Sequence, residues 1–193
     1  MYVNKLTIVY ENKKPKLLNF VGCEIENIKI KVLPGEGLTA MSNTKVDPWN
    51  FESDYPSPDN SHTIVYSDLE EMAIGAPLNG QCFLEFPNGK SIKLGGWCGG
   101  PPVWEPNGSR VALPLWKRKI FVGTVQQLAI IDVDALEMKI YNKTFNVLDV
   151  QSFTDNTIKG CNTPLNKCEP VNLDLSKEKV CKIVDLKCGL RRS

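Results

Sequence analysis

Turn-type dipeptides that recur at a fixed interval constrain the fold of this chain more than any other feature of its sequence. Asp59-Asn60, Asn107-Gly108 and Asp155-Asn156 follow one another at intervals of 48 residues, and one more step back reaches Glu11-Asn12. Asn, Asp and Gly are the residues that tolerate the positive φ of tight hairpin turns. Since each pair precedes an extended run, the spacing predicts a structural repeat of about 48 residues.

The runs between these turns are typical of β-strands. They are short, rich in β-branched and aromatic side chains, and separated by Pro, Gly, Asn and Asp. Helical turns are indicated only at 69–72 and in LSKEKVCKIV, residues 175–184. The sequence therefore predicts an all-β chain that forms a single domain over residues 1–193. The predicted strands cover residues 6–10, 25–33, 62–66, 82–86, 91–94, 110–115, 127–133, 137–141, 145–150 and 170–175.

One segment, residues 100–141, carries a recognisable motif. Its WEPNGSRVAL, which starts at Trp104, resembles the W-S-P-D-G-x-x-I-A-F repeat of TolB-like and WD-repeat-like propellers. Its LAIIDVDALE stands where those blades carry an L-x-V-x-D-L strand. Glu105 and Asn107 depart from the motif, which has Ser and Asp there. The resemblance implies that Trp104 packs between blades and that residues 99–102 lead into the next blade.

The repeat length and the resemblance together favour a propeller-like array. About four units of 48 residues fit into the 193 residues of the chain, and each has room for four strands. Residues 1–10 would then complete the last unit as a closing strand, which removes exposed strand edges. A twisted β-sandwich and an open partial propeller are the alternatives.

Charge and cysteine usage narrow the classes of partner and compartment. Lys and Arg number 23 against 22 Asp and Glu, a formal charge of +1, so neither nucleic acid nor a membrane is an expected partner. The chain starts without the pattern of a signal peptide, and no run approaches the apolar length of a spanning helix. Together with seven cysteines, this favours a cytoplasmic protein with reduced thiols.

Four of the cysteines provide the one metal hypothesis. Two pairs each have six residues between their members, and four thiolates can enclose tetrahedral zinc. The ligands of structural zinc sites are usually closer, about two to four residues apart, so we expect no metal and no cofactor. Disulfides within each pair are the alternative in an oxidising compartment. This weak zinc candidate consists of Cys161, Cys168, Cys181 and Cys188.

Signals for catalysis are weak. His62 is the only histidine and lies beside a turn, so a Ser-His-Asp relay has a single candidate base. Paired carboxylates held across a cleft can perform acid–base or glycosidase chemistry, but carboxylates at strand ends and turns are normally solvated. A carboxylate-dependent hydrolase or sugar-active enzyme is therefore the less favoured alternative. The two acidic groups are Asp68, Glu70 and Glu71, and Asp132, Asp134 and Glu137.

Two segments have the composition of a protein-binding surface. Residues 46–56 are polar and poor in strand signals, and carry Trp49, Phe51 and Tyr55, which bind a partner or form an aromatic plug over the sheet edge. The second candidate, expected to be an exposed basic loop, consists of Trp116, Lys117, Arg118 and Lys119. We therefore expect a non-enzymatic protein-binding module. Its size and its Lys-, Asn- and Ile-rich composition favour a bacterial immunity protein that neutralises a toxin by direct binding.

Overall fold

The structure, a computed structural model, describes residues 9–11, 14–16, 46–165 and 167–190. The chain divides into two compact units, Met1–Ser42 and Asn43–Ser193. In the first unit, β1 (Val9–Glu11) and β2 (Lys14–Lys16) form an antiparallel hairpin. This hairpin lies where the repeat places its first strand, turn and strand. The strand predicted at 25–33 lies outside the described residues.

The strands of the second unit follow one another in three groups of four, which we call modules. The first module consists of β3 (Asp54–Pro56), β4 (Thr63–Glu71), β5 (Leu78–Glu85) and β6 (Ser91–Cys98). The second consists of β7 (Val103–Trp104), β8 (Arg110–Lys119), β9 (Gly123–Asp132) and β10 (Glu137–Phe145). The third consists of β11 (Leu148–Thr154), β12 (Thr157–Asn162), β13 (Glu169–Asp174) and β14 (Val180–Asp185). The short helix α1 (Lys187–Leu190) follows.

Each module places its turn dipeptide between its first and second strands. The turns have positive φ as predicted: 56° at Asn60, 76° at Gly108 and 53° at Asp155. In the first two turns the side chain of the leading residue accepts a hydrogen bond from a backbone N–H two residues on, at 3.1 Å for Asp59 and 3.0 Å for Asn107. The sequence repeat is therefore also a repeat of strands and turns.

All pairings between the described strands are antiparallel, which confirms the predicted all-β fold. The main sheet is open and has the order β14-β10-β9-β8-β6-β5-β4-β3, and β7 also pairs with β8. Strands β11, β12 and β13 form a separate sheet. Strand β14 pairs with β10 of the second module, with Glu137 opposite Asp185. The third module thus contributes a strand to the sheet of the second.

Residues 99–102 join the first module to the second at a bend. Strand β6 pairs with β8 at Cys98 and Leu115, and β7 takes its place along β8 after the bend. A Cβ at Gly100 would lie 2.7 Å from the ring of Phe51, so only glycine fits there. Pro114 has no N–H to donate, and it is tolerated in a central strand because it faces this interruption in pairing, where its carbonyl accepts the N–H of Gly99 at 2.9 Å.

Two hydrophobic clusters connect the modules, and the middle module contributes to both. Alternate residues of β8 and β9 point to opposite faces of the sheet. One face packs against the first module through Val111, Leu113, Ala129 and Ile131. The other packs against the third module through Ala112, Leu128 and Ile130. Because both faces are buried, these strands have nearly continuous apolar sequences.

The helical turns predicted at 69–72 and 175–184 are wrong. Residues up to Glu71 continue β4 and pair with β5, and residues from Val180 form β14 against β10. Cross-strand pairing thus overrides the local helical preference of these charged segments. Five strands lie outside the predicted runs because they are short or polar: β2, β3, β7, β12 and β14. No helix among the described residues has the length and apolar character needed to cross a membrane.

Candidate binding surface

The strands of the second unit have two ends with different connections. Gly80 pairs with Cys98, and Cys98 pairs with Leu115. Equivalent connections of the first two modules therefore lie at the same end of the strands. The short link at 146–147 joins β10 directly to β11, so the third module begins at the same end of the strands as the second. We call one end the turn end, formed by residues 57–62, 86–90, 105–109, 133–136, 155–156 and 175–177. The opposite, loop end is formed by residues 46–50, 72–77, 99–102, 120–122, 146–147, 163–165 and 167–168.

Polar groups at the turn end bond to one another, with Arg110 at the centre. Its Nε and Nη2 donate to the two carboxylate oxygens of Glu105 at 2.8 and 2.7 Å. Its Nη1 donates to Asn156 Oδ1 at 3.0 Å, and Nη2 also donates to the carbonyl of Asp155. The hydrogen bond to Glu105, which is buried, raises the pKa of Arg110. Arg110 therefore fastens the turn of the second module to that of the third.

The turn of the first module lies beside these polar groups, and Asp59 is its central hydrogen-bond acceptor. Its Oδ1 accepts hydrogen bonds from Ser57 Oγ at 2.6 Å and from Ser61 Oγ at 2.9 Å. These bonds lower the pKa of Asp59 to about 2. Gly108 lies beside it, since a Cβ there would be 3.0 Å from Asp59 Oδ1. The three repeated turns are thus neighbours whose polar groups are bonded within the protein.

The loop end instead exposes large apolar side chains. At the β8–β9 connection Ile120, Phe121 and Val122 are 82%, 104% and 67% exposed, and Ile74 in the β4–β5 connection is 105% exposed. Val46, Trp97 and Leu165 are also exposed at this end. Among the described residues, Ile183 on β14 is the one large exposed apolar residue elsewhere. Such a cluster is typical of a contact surface.

The aromatic segment predicted to bind a partner is divided by the structure. Phe51 is buried and its ring centroid lies 5.1 Å from that of Tyr66, so it packs into the core. Tyr55 lies on β3 with its ring 6.3 Å from Tyr66. The plug alternative describes these two residues. Trp49 is half-buried at the loop end, where its Nε1 donates to the carbonyl of Gly75 at 3.0 Å.

The predicted basic loop is a strand, because β8 continues to Lys119 opposite Gly123. Trp116 is buried, and its Nε1 has no hydrogen-bond partner among the described residues. Lys117 and Arg118 are exposed and Lys119 is half-buried. The residues that sequence analysis missed are the apolar tip at 120–122 and Ile74. The signal for the tip was the run Ile-Phe-Val between a basic triplet and a turn glycine.

Of the predicted carboxylates, the structure brings Asp132 and Glu137 together. They face each other across β9 and β10 and line a cavity of about 200 Å³ at the turn end, together with Lys139 and Tyr141. Asp134 lies in the exposed β9–β10 turn.

His62 does not form a Ser-His-Asp relay. Its Nδ1 lies 2.8 Å from Ser61 Oγ, which itself bonds to Asp59. The serine therefore lies between the acid and the histidine, whereas a catalytic relay places the histidine in the middle.

The cysteines proposed for zinc are arranged differently. Cys161 and Cys168 form a disulfide, with Cα atoms 5.6 Å apart, because the β12–β13 hairpin brings them together. The prediction of reduced thiols is wrong for this pair. Cys181 and Cys188 are exposed and free, and Cys82 and Cys98 are buried and free. Within the described ranges no three metal-ligating side chains meet, so the zinc candidate is not assembled there.

Comparison with known proteins identifies no relative. No family model matches the chain, and neither a curated protein nor a solved structure matches it. Its function is therefore inferred from its own geometry.

Proposed function

We propose that the chain is a non-enzymatic protein-binding module that contacts its partner through the loop end. One observation carries the proposal: the large exposed apolar side chains collect at this end of the strands. The turn end has polar groups that bond to each other instead. Exposed apolar clusters of this kind usually become buried against another molecule.

Within the loop end, the contact surface that best fits a protein is formed by residues 46–50 and 72–75, which we call the aromatic patch. Two hydrogen bonds hold the segments together, from Trp49 Nε1 to the carbonyl of Gly75 and from the N–H of Leu78 to the carbonyl of Pro48 at 2.9 Å. The N–H of Gly75 also donates to Glu71 Oε2 at 2.9 Å, which orders the tip that presents Ile74. The patch is therefore apolar and preorganised.

Carboxylates surround this apolar surface. Asp47 accepts the N–H of Trp49 at 2.9 Å, and Glu70 and Glu71 are exposed at the end of β4. A partner surface with apolar side chains flanked by Lys or Arg is complementary to this patch in polarity and charge.

A toxin blocked by direct binding is the partner class that we propose, which makes the chain a bacterial immunity protein. Such neutralisation needs a rigid surface and no catalytic group. We also propose a cytoplasmic location, which suits the free thiols of Cys82, Cys98, Cys181 and Cys188. The Cys161–Cys168 disulfide instead suits an oxidising compartment. Alkylation of both of these cysteines in freshly lysed cells would support the cytoplasm.

For the fold we propose a propeller-like array of about four repeats, of which the three modules are three. It is supported by the repeated strand order, the neighbouring turns and the middle module buried on both faces. Trp104 fits this arrangement, since its Nε1 donates to the carbonyl of Tyr55 on the first strand of the preceding module, at 3.0 Å. An experimental structure with a twisted sandwich in place of stacked modules would contradict it.

Affinity capture with matched variants tests the proposed function. Tagged protein is used to capture a stoichiometric partner from the producing cells, and the affinity of that partner is then measured by calorimetry. We expect Trp49→Ala and Ile74→Ser to weaken binding at least about 30-fold, as hot-spot substitutions do. Ile183→Ser, a change at an exposed apolar residue away from the loop end, should have no effect. The partner should be toxic when expressed alone, and equal affinity of all variants would contradict the proposal.

The turn-end cavity supports a second candidate, a carboxylate-dependent hydrolase or sugar-active enzyme. Asp132 and Glu137 share the cavity with Tyr141, whose pKa is raised by burial. Lys139 Nζ lies 3.2 Å from Glu137, so one carboxylate is already paired. A glycoside panel with Asp132→Asn and Glu137→Gln, and with Asp134→Asn as the control, separates the candidates. If the unsubstituted protein is inactive on every glycoside, the enzyme candidate is excluded. Activity that is lost only in Asp132→Asn and Glu137→Gln would establish it.

A further inference from the structure

The hairpin of β8 and β9 is a regular element whose end is apolar. Its strands remain paired as far as Lys119 and Gly123, so the tip at 120–122 projects from an ordered stem. Phe121 has a φ of 69° and Gly123 a φ of 95°, which turn the chain sharply. Ile120 and Phe121 are almost fully exposed to water. The backbone therefore holds the apolar side chains outward.

Cations lie directly behind this tip. Lys117 and Arg118 are exposed on the stem, and Lys119 Nζ lies 3.4 Å from Thr144 Oγ1 on β10. The exposed Lys143 precedes that threonine and extends the basic surface. No carboxylate of the described chain forms an ion pair with these four cations. Their charge is thus available to an anionic partner.

We propose that this hairpin docks the protein on an anionic phospholipid membrane, with residues 120–122 inserted among the headgroups and the four cations against lipid phosphates. The inference goes beyond the proposed function and does not depend on it. Strand residues advance about 3.3 Å each, so Lys117 and Arg118 lie roughly 7–10 Å behind the tip. This matches the depth of about 5–10 Å to which interfacial apolar groups enter a membrane.

The surroundings of the hairpin favour a membrane over a single protein pocket. The tip projects from its paired stem, and Leu165 is exposed on another connection at the same end. A flat and deformable surface can accept apolar tips from several connections, whereas a pocket accepts one. The expectation of no membrane partner is based on the net charge of the whole chain. A net charge does not show that apolar and basic residues are adjacent in one hairpin.

Co-sedimentation with lipid vesicles tests the proposal on the whole chain. The probes are vesicles of phosphatidylcholine with phosphatidylserine, and of phosphatidylcholine alone, at low and high salt. We expect binding only to the anionic vesicles, weakened by salt. Phe121→Ser should weaken it at least about tenfold, and Lys117→Ala with Arg118→Ala about fivefold per cation.

Matched controls separate the hairpin from general effects. Ile183→Ser removes an exposed apolar side chain elsewhere, and Lys90→Ala with Lys187→Ala makes the same change of net charge near the turn end. Both should bind anionic vesicles as the parent does. Absence of binding to anionic vesicles at low salt would overturn the inference, as would equal binding by the hairpin variants and controls. If the hairpin variants instead weaken a captured protein partner and no vesicle binds, the hairpin belongs to the protein interface.

Discussion

The turn end and the loop end are formed by the same strands, but the first has polar groups bonded to each other and the second exposes apolar side chains to water. At the turn end, Arg110 bonds to Glu105, Asp155 and Asn156, so charged groups satisfy one another inside the protein. At the loop end, Phe121 and Ile74 are fully exposed. Stability should therefore be sensitive to changes at the turn end, and binding to changes at the loop end. A repeat can thus keep its folding determinants apart from its contact surface.

The largest expected difference concerns one arginine at each end. Arg110→Ala leaves the buried Glu105 carboxylate without its cation and should lower the free energy of unfolding by about 3 kcal/mol. Arg118→Ala removes an exposed cation at the loop end and should change it by less than about 0.5 kcal/mol. Urea denaturation of both variants measures the difference. Equal losses would contradict the division of roles.

Two glycines with positive φ provide a smaller contrast. Gly108 packs against Asp59, whereas a Cβ at Gly123 would meet nothing within 4 Å. Both substitutions to alanine strain the backbone, but only Gly108→Ala also disturbs a neighbouring turn. We expect losses of about 2 kcal/mol at Gly108 and about 1 kcal/mol at Gly123. A larger loss at Gly123, measured by thermal unfolding, would mean that the loop end is the more constrained.

Acid should weaken the turn end through Asp59. Its pKa is about 2 in the folded protein against an ordinary 3.8, so its ionised form stabilises the fold at neutral pH. That contribution should be complete above about pH 4 and lost as the pH falls towards 2. Asp59→Asn retains an oxygen acceptor without a charge. The dependence of its melting temperature on pH over this window should be shallower than that of the parent; parallel curves would assign the acid sensitivity elsewhere.

The smallest effect on stability is expected at the hairpin tip. Phe121→Ser removes no buried contact, because the side chain is fully exposed. The free energy of unfolding should therefore stay within about 0.5 kcal/mol of the parent. A loss above about 1 kcal/mol in urea would show that Phe121 packs against the protein and does not serve contact.

The repeat could be predicted from sequence because its turns depend on local chemistry. Asp59-Asn60 and its two counterparts adopt positive φ through properties of Asn, Asp and Gly alone. The strands around them were visible because β8 and β9 are buried on both faces.

The remaining features depend on contacts far apart in the sequence. The pairing of β14 with β10 and the burial of Phe51 and Trp116 are set by neighbours that no local pattern shows. An aromatic residue in a polar segment is equally consistent with a core position and with a contact surface. The sequence therefore does not distinguish the buried Phe51 from the half-buried Trp49. The apolar tip was missed because exposure depends on how far the β8–β9 hairpin projects.

Hydrogen–deuterium exchange of the protein, free and with a captured partner, tests most directly whether the loop end is the contact surface. We expect the partner to slow exchange at residues 46–50 and 72–77 and to leave the turns at 59–60, 107–108 and 155–156 unchanged. Protection confined to those three turns, with none at the loop end, would contradict the account.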